Sequence, residues 1–261
     1  MKTVIRCAAL IVAISLIASC LFSCEIIFGT DPTEAVNGAE AALKSAPYTV
    51  DMGILFESKD EEMQAVIDSF ASPLIKLKAD GDDLYMTMSL KLDDRKASTT
   101  YTLIDGIVYA EYYEQTDKGD KTEKEKFDCT AEMKEEIIDE LGSGANLRYD
   151  DFSESVARNV NGVTVITCTN IKSDALRGVV EMLKEKLEGI NAAVAVRDAN
   201  LVIQIKDGKY DVSIFKCTYV ITTETQVYSI SMTYASQFDY ASDVAITAPV
   251  DADEYDSVEF D

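Results

Sequence analysis

Four dipeptides, Asp80-Gly81, Asp105-Gly106, Asn161-Gly162 and Asp207-Gly208, separate runs of residues that alternate between apolar and polar. Asx-Gly favours a two-residue turn, because the backbone must take positive φ there, and it folds the chain back beside itself. Alternation with a period of two gives each run one side to bury and one to wet. Tyr48, Val50, Met52, Ile54 and Phe56 form the first apolar set, against Thr49, Asp51, Gly53 and Leu55. Ile75, Leu77 and Ala79 lead across a turn to Leu84, Met86, Met88, Leu90 and Leu92. Hairpins follow over 99–104 with 107–113 and over 155–160 with 163–171, and strands over 201–205, 210–222, 226–235 and 244–247 end the series. About ten strands so joined predict a large antiparallel sheet with one apolar side. A sheet of that size coils, so its apolar side is expected to be concave, as in a half-barrel.

Helical periodicity appears between the strand groups. Asp31, Pro32 and Glu34 open a helix over 32–45 whose inward stripe is Ala35, Val36, Ala39, Ala42 and Leu43. Ser58-Lys59-Asp60-Glu61 reads as a capping box ahead of Met63, Val66, Ile67 and Phe70. Thr130 opens a third helix with Met133, Ile137 and Leu141, and Ser173 opens the longest, with Leu176, Val179, Val180, Leu183 and Leu187. Helices packed on the concave face of the sheet make the fold class α+β, in a single domain over 31–261. Residues 115–126 interleave Lys with acids, which predicts a solvated loop, and 251–261 read as an acidic tail.

The N-terminus carries a different signal. Lys2 and Arg6 precede an uncharged apolar run from Cys7 to Ile17, and Ala18 and Ser19 lead to Cys20, the order of an export signal over 1–19. The run is shorter than the roughly 20 residues a membrane-spanning helix needs. Ile17-Ala18-Ser19-Cys20 resembles the lipobox of bacterial lipoproteins, which implies that Cys20 becomes the first mature residue and is acylated. Leu21-Phe22-Ser23-Cys24 is the alternative, with bulky Phe22 where the family has a small residue. An ordinary secretory signal with incidental cysteines is the rival reading. Two or three acyl chains on one thiol, at ~0.8 kcal/mol per buried CH₂, hold a protein durably at a membrane. Residues 20–30 would then be a tether at the extracytoplasmic face.

Several chemistries are excluded. Histidine is absent, which removes Ser-His-Asp and Cys-His nucleophile systems and every His-ligated metal site. Cys129, Cys168 and Cys217 lack zinc or redox spacing and read as small buried hydrophobes, with a Cys168 to Cys217 bridge between neighbouring strands as the alternative. Removing residues 1–19 takes Lys2 and Arg6 but no acid, so the net charge moves from -23 to -25. That balance repels nucleic acid and anionic headgroups. Asp80-Gly81-Asp82-Asp83 and Asp251-Ala252-Asp253-Glu254 offer carboxylates without calcium-loop spacing and read as turn and tail. Glu135 and Glu136 fall on the wet side of the third helix, and no phosphate-binding glycine loop occurs. The expectation is a non-enzymatic protein with no metal and no cofactor.

What remains is the apolar inner face: Met52, Ile54, Phe56, Met86, Met88, Tyr228, Ile230 and Met232. Methionine adapts to irregular partners, which suits a cavity for acyl chains. If the helices fill the concavity, the same residues are simply core. The local sequences Ala46-Pro47-Tyr48-Thr49-Val50, Ile104-Asp105-Gly106-Ile107-Val108-Tyr109 and Ile246-Thr247-Ala248-Pro249-Val250-Asp251-Ala252 sit in the order helix, strand, hairpins, helices, closing meander. In that layout the chain resembles the LolA/LppX/RseB-like fold, a half-open barrel plugged by helices, and looks like bacterial envelope lipoproteins with that closing signature. The chain departs from that pattern in its lack of tryptophan and its extra helix near 60–71. The resemblance implies carriage or sensing of lipids or lipidated protein, without a binding residue to carry over. The expected partners are therefore the membrane, through the anchor, and a lipid ligand, with an interaction module for an envelope protein as the alternative.

Overall fold

The structure is a computed structural model, and the residues it describes are 31–69, 73–92, 95–117, 119–129, 148–173, 175, 193–240 and 244–258. The helices expected over 130–141 and beyond Ser173, with Glu135 and Glu136, lie outside them, as do Cys20 and Cys24. Among the described residues, no helix is long and apolar enough to cross a membrane.

Among the described residues, twelve strands form one sheet: β1 (Tyr48–Ser58), β2 (Leu74–Asp80), β3 (Asp83–Leu92), β4 (Arg95–Ile104), β5 (Ile107–Thr116), β6 (Gly119–Asp128), β7 (Phe152–Val160), β8 (Val163–Ile171), β9 (Ala193–Lys206), β10 (Lys209–Thr222), β11 (Val227–Asp239) and β12 (Asp256–Ser257). Their order is β12-β6-β5-β4-β3-β2-β1-β11-β10-β9-β8-β7, an open sheet in which every pair is antiparallel except β12 with β6. Two hairpin series thus meet where β1 pairs with β11, through Ile54 opposite Tyr234 and Phe56 opposite Met232. The turns do what their sequences predict: Asp105, Asn161 and Asp207 take φ of 52°, 53° and 52°, and the glycine after each is also positive. Both central residues of a type I′ turn need that geometry, whose twist matches the strands it joins.

Two β-bulges bend the C-terminal strands. Arg197 and Asn200 of β9 face Thr218 and Lys216 of β10, so Asp198 and Ala199 stand against one residue, and Asp198 takes φ 52°. Asp211 is the extra residue in β10, between Tyr210 and Val212. Such insertions raise local twist and coiling.

Helix α1 (Thr33–Ser45) packs on β9 and β10 by its narrow face, with Val36 and Ala39 buried, and joins a core cluster that includes Phe152, Ile166, Leu201, Phe215 and Met232. Small residues on that stripe let the helix approach the sheet closely. The Asp31 carboxylate accepts from the Thr33 N–H at 2.8 Å and its hydroxyl at 2.6 Å, which ties the chain at the helix entry. Helix α2 (Glu61–Ser69) lies against β1. Its cap is Asp60, which accepts from the Met63 N–H at 2.8 Å, while Gln64 reaches back to the Ser58 N–H at 2.6 Å. The cap is therefore Asp60, two residues later than Ser58 suggested, and with Met63 at the third helical position no reciprocal box forms: the Ser58 hydroxyl instead accepts from the Asp60 N–H at 3.2 Å.

Four expectations are corrected. The charged run is strand, not loop: Glu111 faces Lys124 and Glu114 faces Lys121, so its alternating signs meet opposite charges across the hairpin. Of the acidic tail, residues 251–258 fold onto the sheet, with a single turn of 3₁₀ helix at Ala252–Glu254 followed by β12. Residues 244–247 form no strand. Cys168 and Cys217 are buried free thiols on β8 and β10, and β9 runs between them, so no bridge between neighbouring strands is available.

Leu201, 2% exposed, sits at the centre of the core cluster. Leu201→Ala should lower unfolding free energy by about 2–5 kcal/mol through lost transfer and a residual cavity, measured by urea denaturation. Val227→Ala, at a residue 64% exposed, should stay within about 0.5 kcal/mol of the parent.

Candidate functional site

Directly opposed residues of an antiparallel pair share a face, so register fixes where the eight apolar candidates lie. Met52 faces Ser236 on β11 and Ile75 on β2, and Ile75 faces Met88 on β3. Val50 leads through Leu77 to Met86. Phe56 faces Met232, and Ile230 and Tyr228 follow at alternate positions of β11. All eight stand on one side of the sheet, the side on which α1 packs. From β11 to β3 they span three strand spacings, about 14 Å.

The structure divides them by depth. Met232 belongs to the core cluster, and Met52, Ile54, Phe56 and Ile230 pack against it. Met86 is buried outside that cluster, Met88 is half-buried, and Tyr228 is half-buried at the strand end, with its hydroxyl on Gln226. Among the residues that register places on this face in β1, β2, β3, β8 and β11, none is Asp, Glu, Lys or Arg. The opposite face of the N-terminal strands is polar: Lys76 approaches Asp51 at 3.7 Å, Lys78 lies over the Tyr85 ring, and Thr100 bonds Thr87 at 3.2 Å.

Two tyrosine hydroxyls on the apolar face bond sulfur. The Tyr234 hydroxyl donates to Met52 Sδ at 2.8 Å, and the Tyr219 hydroxyl donates to Met232 Sδ at 3.7 Å. A thioether is a weak acceptor, yet it spares a buried hydroxyl the cost of standing unpaired. Burial pushes the Tyr219 and Tyr234 hydroxyls above their ordinary range and the Cys217 thiol up to about 11. All three are neutral at physiological pH, so they add no charge to this part of the face.

Sequence reasoning missed a groove at the opening of α1. Asp31, Pro32 and Thr33 at the start of α1, Tyr149 and Asp150 in the 3₁₀ turn Tyr149–Asp151, and Phe152, Ser155 and Val156 of β7 line an open groove of about 470 Å³, with Lys172 at its rim. The Thr33 hydroxyl and the Tyr149 hydroxyl are 3.0 Å apart across it, and Ser155 donates to the Tyr149 carbonyl at 2.7 Å. These residues come from segments more than a hundred positions apart, and no motif in any one of them signals the meeting. Of the carboxylate clusters, Asp80 to Asp83 forms the β2–β3 turn, with Gly81 at φ 61°, and Asp251 and Glu254 pair with Lys124.

No family model matches the chain, and no curated protein matches it. Among solved structures it is similar to the ywiB protein from Bacillus subtilis, at 8% identity over 74% of this chain and 91% of that one, with a TM-score of 0.16. It is also similar to the Pseudomonas aeruginosa MucA/MucB complex, at 9% identity over 78% and 93% with a TM-score of 0.15. A further likeness is to MucB in complex with MucA(peri), at 10% identity over 80% and 94% with a TM-score of 0.14. Likenesses at this level carry no argument about function.

Cys168 and Cys217 should resist iodoacetamide at pH 8 in the folded protein and react once urea unfolds it, as read by peptide mass spectrometry. Cys217 also sets a sign for alkaline stability. The unfolded thiol ionises near its ordinary value of 9.0 and the folded one near 11, so above pH 9 the unfolded state releases a proton that the folded state keeps. Stability should therefore fall between pH 9 and 11, and Cys217→Ala should flatten that slope in denaturation curves taken across the range.

Proposed function

We propose that the protein is a membrane-anchored extracytoplasmic lipoprotein that binds a lipid or similar amphiphile along the apolar face of its sheet. The observation that carries the reading is the face itself, which has no charged side chain across β1, β2, β3, β8 and β11 and keeps Met88 half-buried outside the core cluster. An acyl chain needs a neutral surface of adaptable side chains and asks for no specific hydrogen bond. The groove between α1 and β7 mixes acids, hydroxyls and one lysine, which suits a tail far less. Export and anchoring rest on Lys2, Arg6, the apolar run and the lipobox ending at Cys20, with Cys24 as the second acceptor.

A second reading has its own support. Met52, Ile54, Phe56, Ile230 and Met232 all belong to the main core cluster or pack against it, as they would in a solid core. In that case the protein is a non-enzymatic envelope module that meets another protein through its outer surfaces.

The two readings separate in one experiment. Cys20→Ser with Cys24→Ser removes both acceptor thiols, and that protein, secreted and isolated in detergent-free buffer, goes to native mass spectrometry. A bound lipid that is lost in Met88→Glu supports the amphiphile reading. Protein that carries no lipid, and takes up no added fatty acid, overturns it in favour of the interaction module. For the anchor, Cys20→Ser should abolish incorporation of labelled palmitate in cells while Cys24→Ser retains it.

A further inference from the structure

The segment Asp251–Val258 lies over β5 and β6 on the face opposite the methionines. Lys124 Nζ bonds Asp251 and also Glu254, the latter at 3.0 Å, and Lys126 Nζ donates to the Ala252 carbonyl at 3.0 Å. The Tyr255 ring meets Tyr109 edge-on at 5.4 Å, its hydroxyl donates to Glu111 at 3.2 Å, and the residue is 6% exposed. Asp256 and Ser257 pair in parallel with Glu125 and Lys126, and the Val258 N–H donates to the Lys126 carbonyl at 2.9 Å.

These contacts are those by which a sheet edge captures an extended peptide. Added strand pairing sets the register, a pocket takes one side chain, and charges on alternate positions choose the partner. Here the peptide side reads Asp-Ala-Asp-Glu-Tyr-Asp-Ser-Val, and the receptor side presents Lys124, Lys126 and Tyr109. In a chain of net charge -23, a lysine that holds two carboxylates is a local reversal of sign.

The segment is also built to leave. Only two of its residues pair as strand, the preceding residues 244–249 have no regular structure, and Val250 is fully exposed. Tyr255 does not belong to the core cluster, so departure leaves that cluster whole.

We propose that the β5–β6 edge is an acceptor site for an acidic, tyrosine-bearing extended peptide, and that residues 251–258 of this chain are its releasable intramolecular ligand. While the segment is seated, the acceptor is closed to any peptide of the same pattern in trans. Hydrogen bonds to Asp251 and Glu254 hold Lys124 in its charged form, and the Asp251 carboxyl is held below its usual range chiefly by the hydrogen bond from Lys124. The lever that opens the site at neutral pH is therefore ionic strength, since the Debye length falls to about 3 Å at 1 M salt.

The full chain serves for the test. Asp251→Ala, Glu254→Ala and Tyr255→Ala together weaken the resident segment without touching the acceptor. A fluorescein-labelled peptide of residues 249–261 should bind that variant about tenfold or more tighter than the parent, where the resident segment competes at high effective concentration. Adding Lys124→Glu to the variant should abolish binding. Should the variant fold poorly, amide hydrogen exchange on the parent decides instead. Val258, whose amide bonds β6, should exchange about tenfold faster in 1 M than in 20 mM NaCl while amides of β9 and β10 do not change. Equal peptide binding to parent and variant, no binding to either, or salt-independent protection at Val258 that is lost only with the β9 and β10 amides, would overturn the proposal.

Discussion

The ladder between β1 and β11 is the joint on which the sheet depends. The first and last long strands of the domain meet there, and every other pairing is between consecutive strands or belongs to the short β12. Ten opposed pairs, from Thr49 with Asp239 to Ser58 with Ile230, hold two hairpin series in one register. A slip of one residue would turn Met52, Ile54 and Phe56 outward and bring Asp51 and Glu57 inward. Burial of one face therefore sets the register more strictly than hydrogen bonding does, since the bonds are nearly as good one pair along.

With register fixed, the two sides of the sheet diverge chemically. One carries Met, Ile, Leu, Val and Tyr from strand to strand, with the Tyr219 and Tyr234 hydroxyls answered by thioethers. On the N-terminal strands the other carries ion pairs and lysines stacked on tyrosine. β10 breaks the simple division, for Val212 and Ile214 are buried on the side away from Phe215 and Cys217. Away from β10, the two sides of one sheet thus present unlike surfaces.

An open sheet also leaves edges, which invite pairing with other chains unless they are charged or covered. β6 is treated both ways: its Lys and Glu alternate along the strand, and the C-terminal segment covers part of it through Tyr255 and β12. Residues 251–258 are thereby structural, seated on Lys124 and Lys126, lysines that looked like solvated loop residues.

The Asx-Gly turns and the period-two runs by themselves determined the hairpins, the antiparallel sheet and the face on which each of the eight apolar residues stands. These are local properties, written within a dozen residues and enforced by φ preference and alternation. Helix α1 and its small-residue stripe were legible for the same reason. Charge patterning was misleading at 115–126, because alternating Lys and Glu is equally the pattern of a solvated loop and of a strand whose partner bears the complementary charges. Only the tertiary structure supplied that partner, Glu111 and Glu114 on β5. It alone seated Tyr255 on Tyr109, put β9 between Cys168 and Cys217, and brought Thr33 to Tyr149. Each of these joins residues far apart in the chain, and such a contact depends on the order in which strands assemble, which no local stretch encodes.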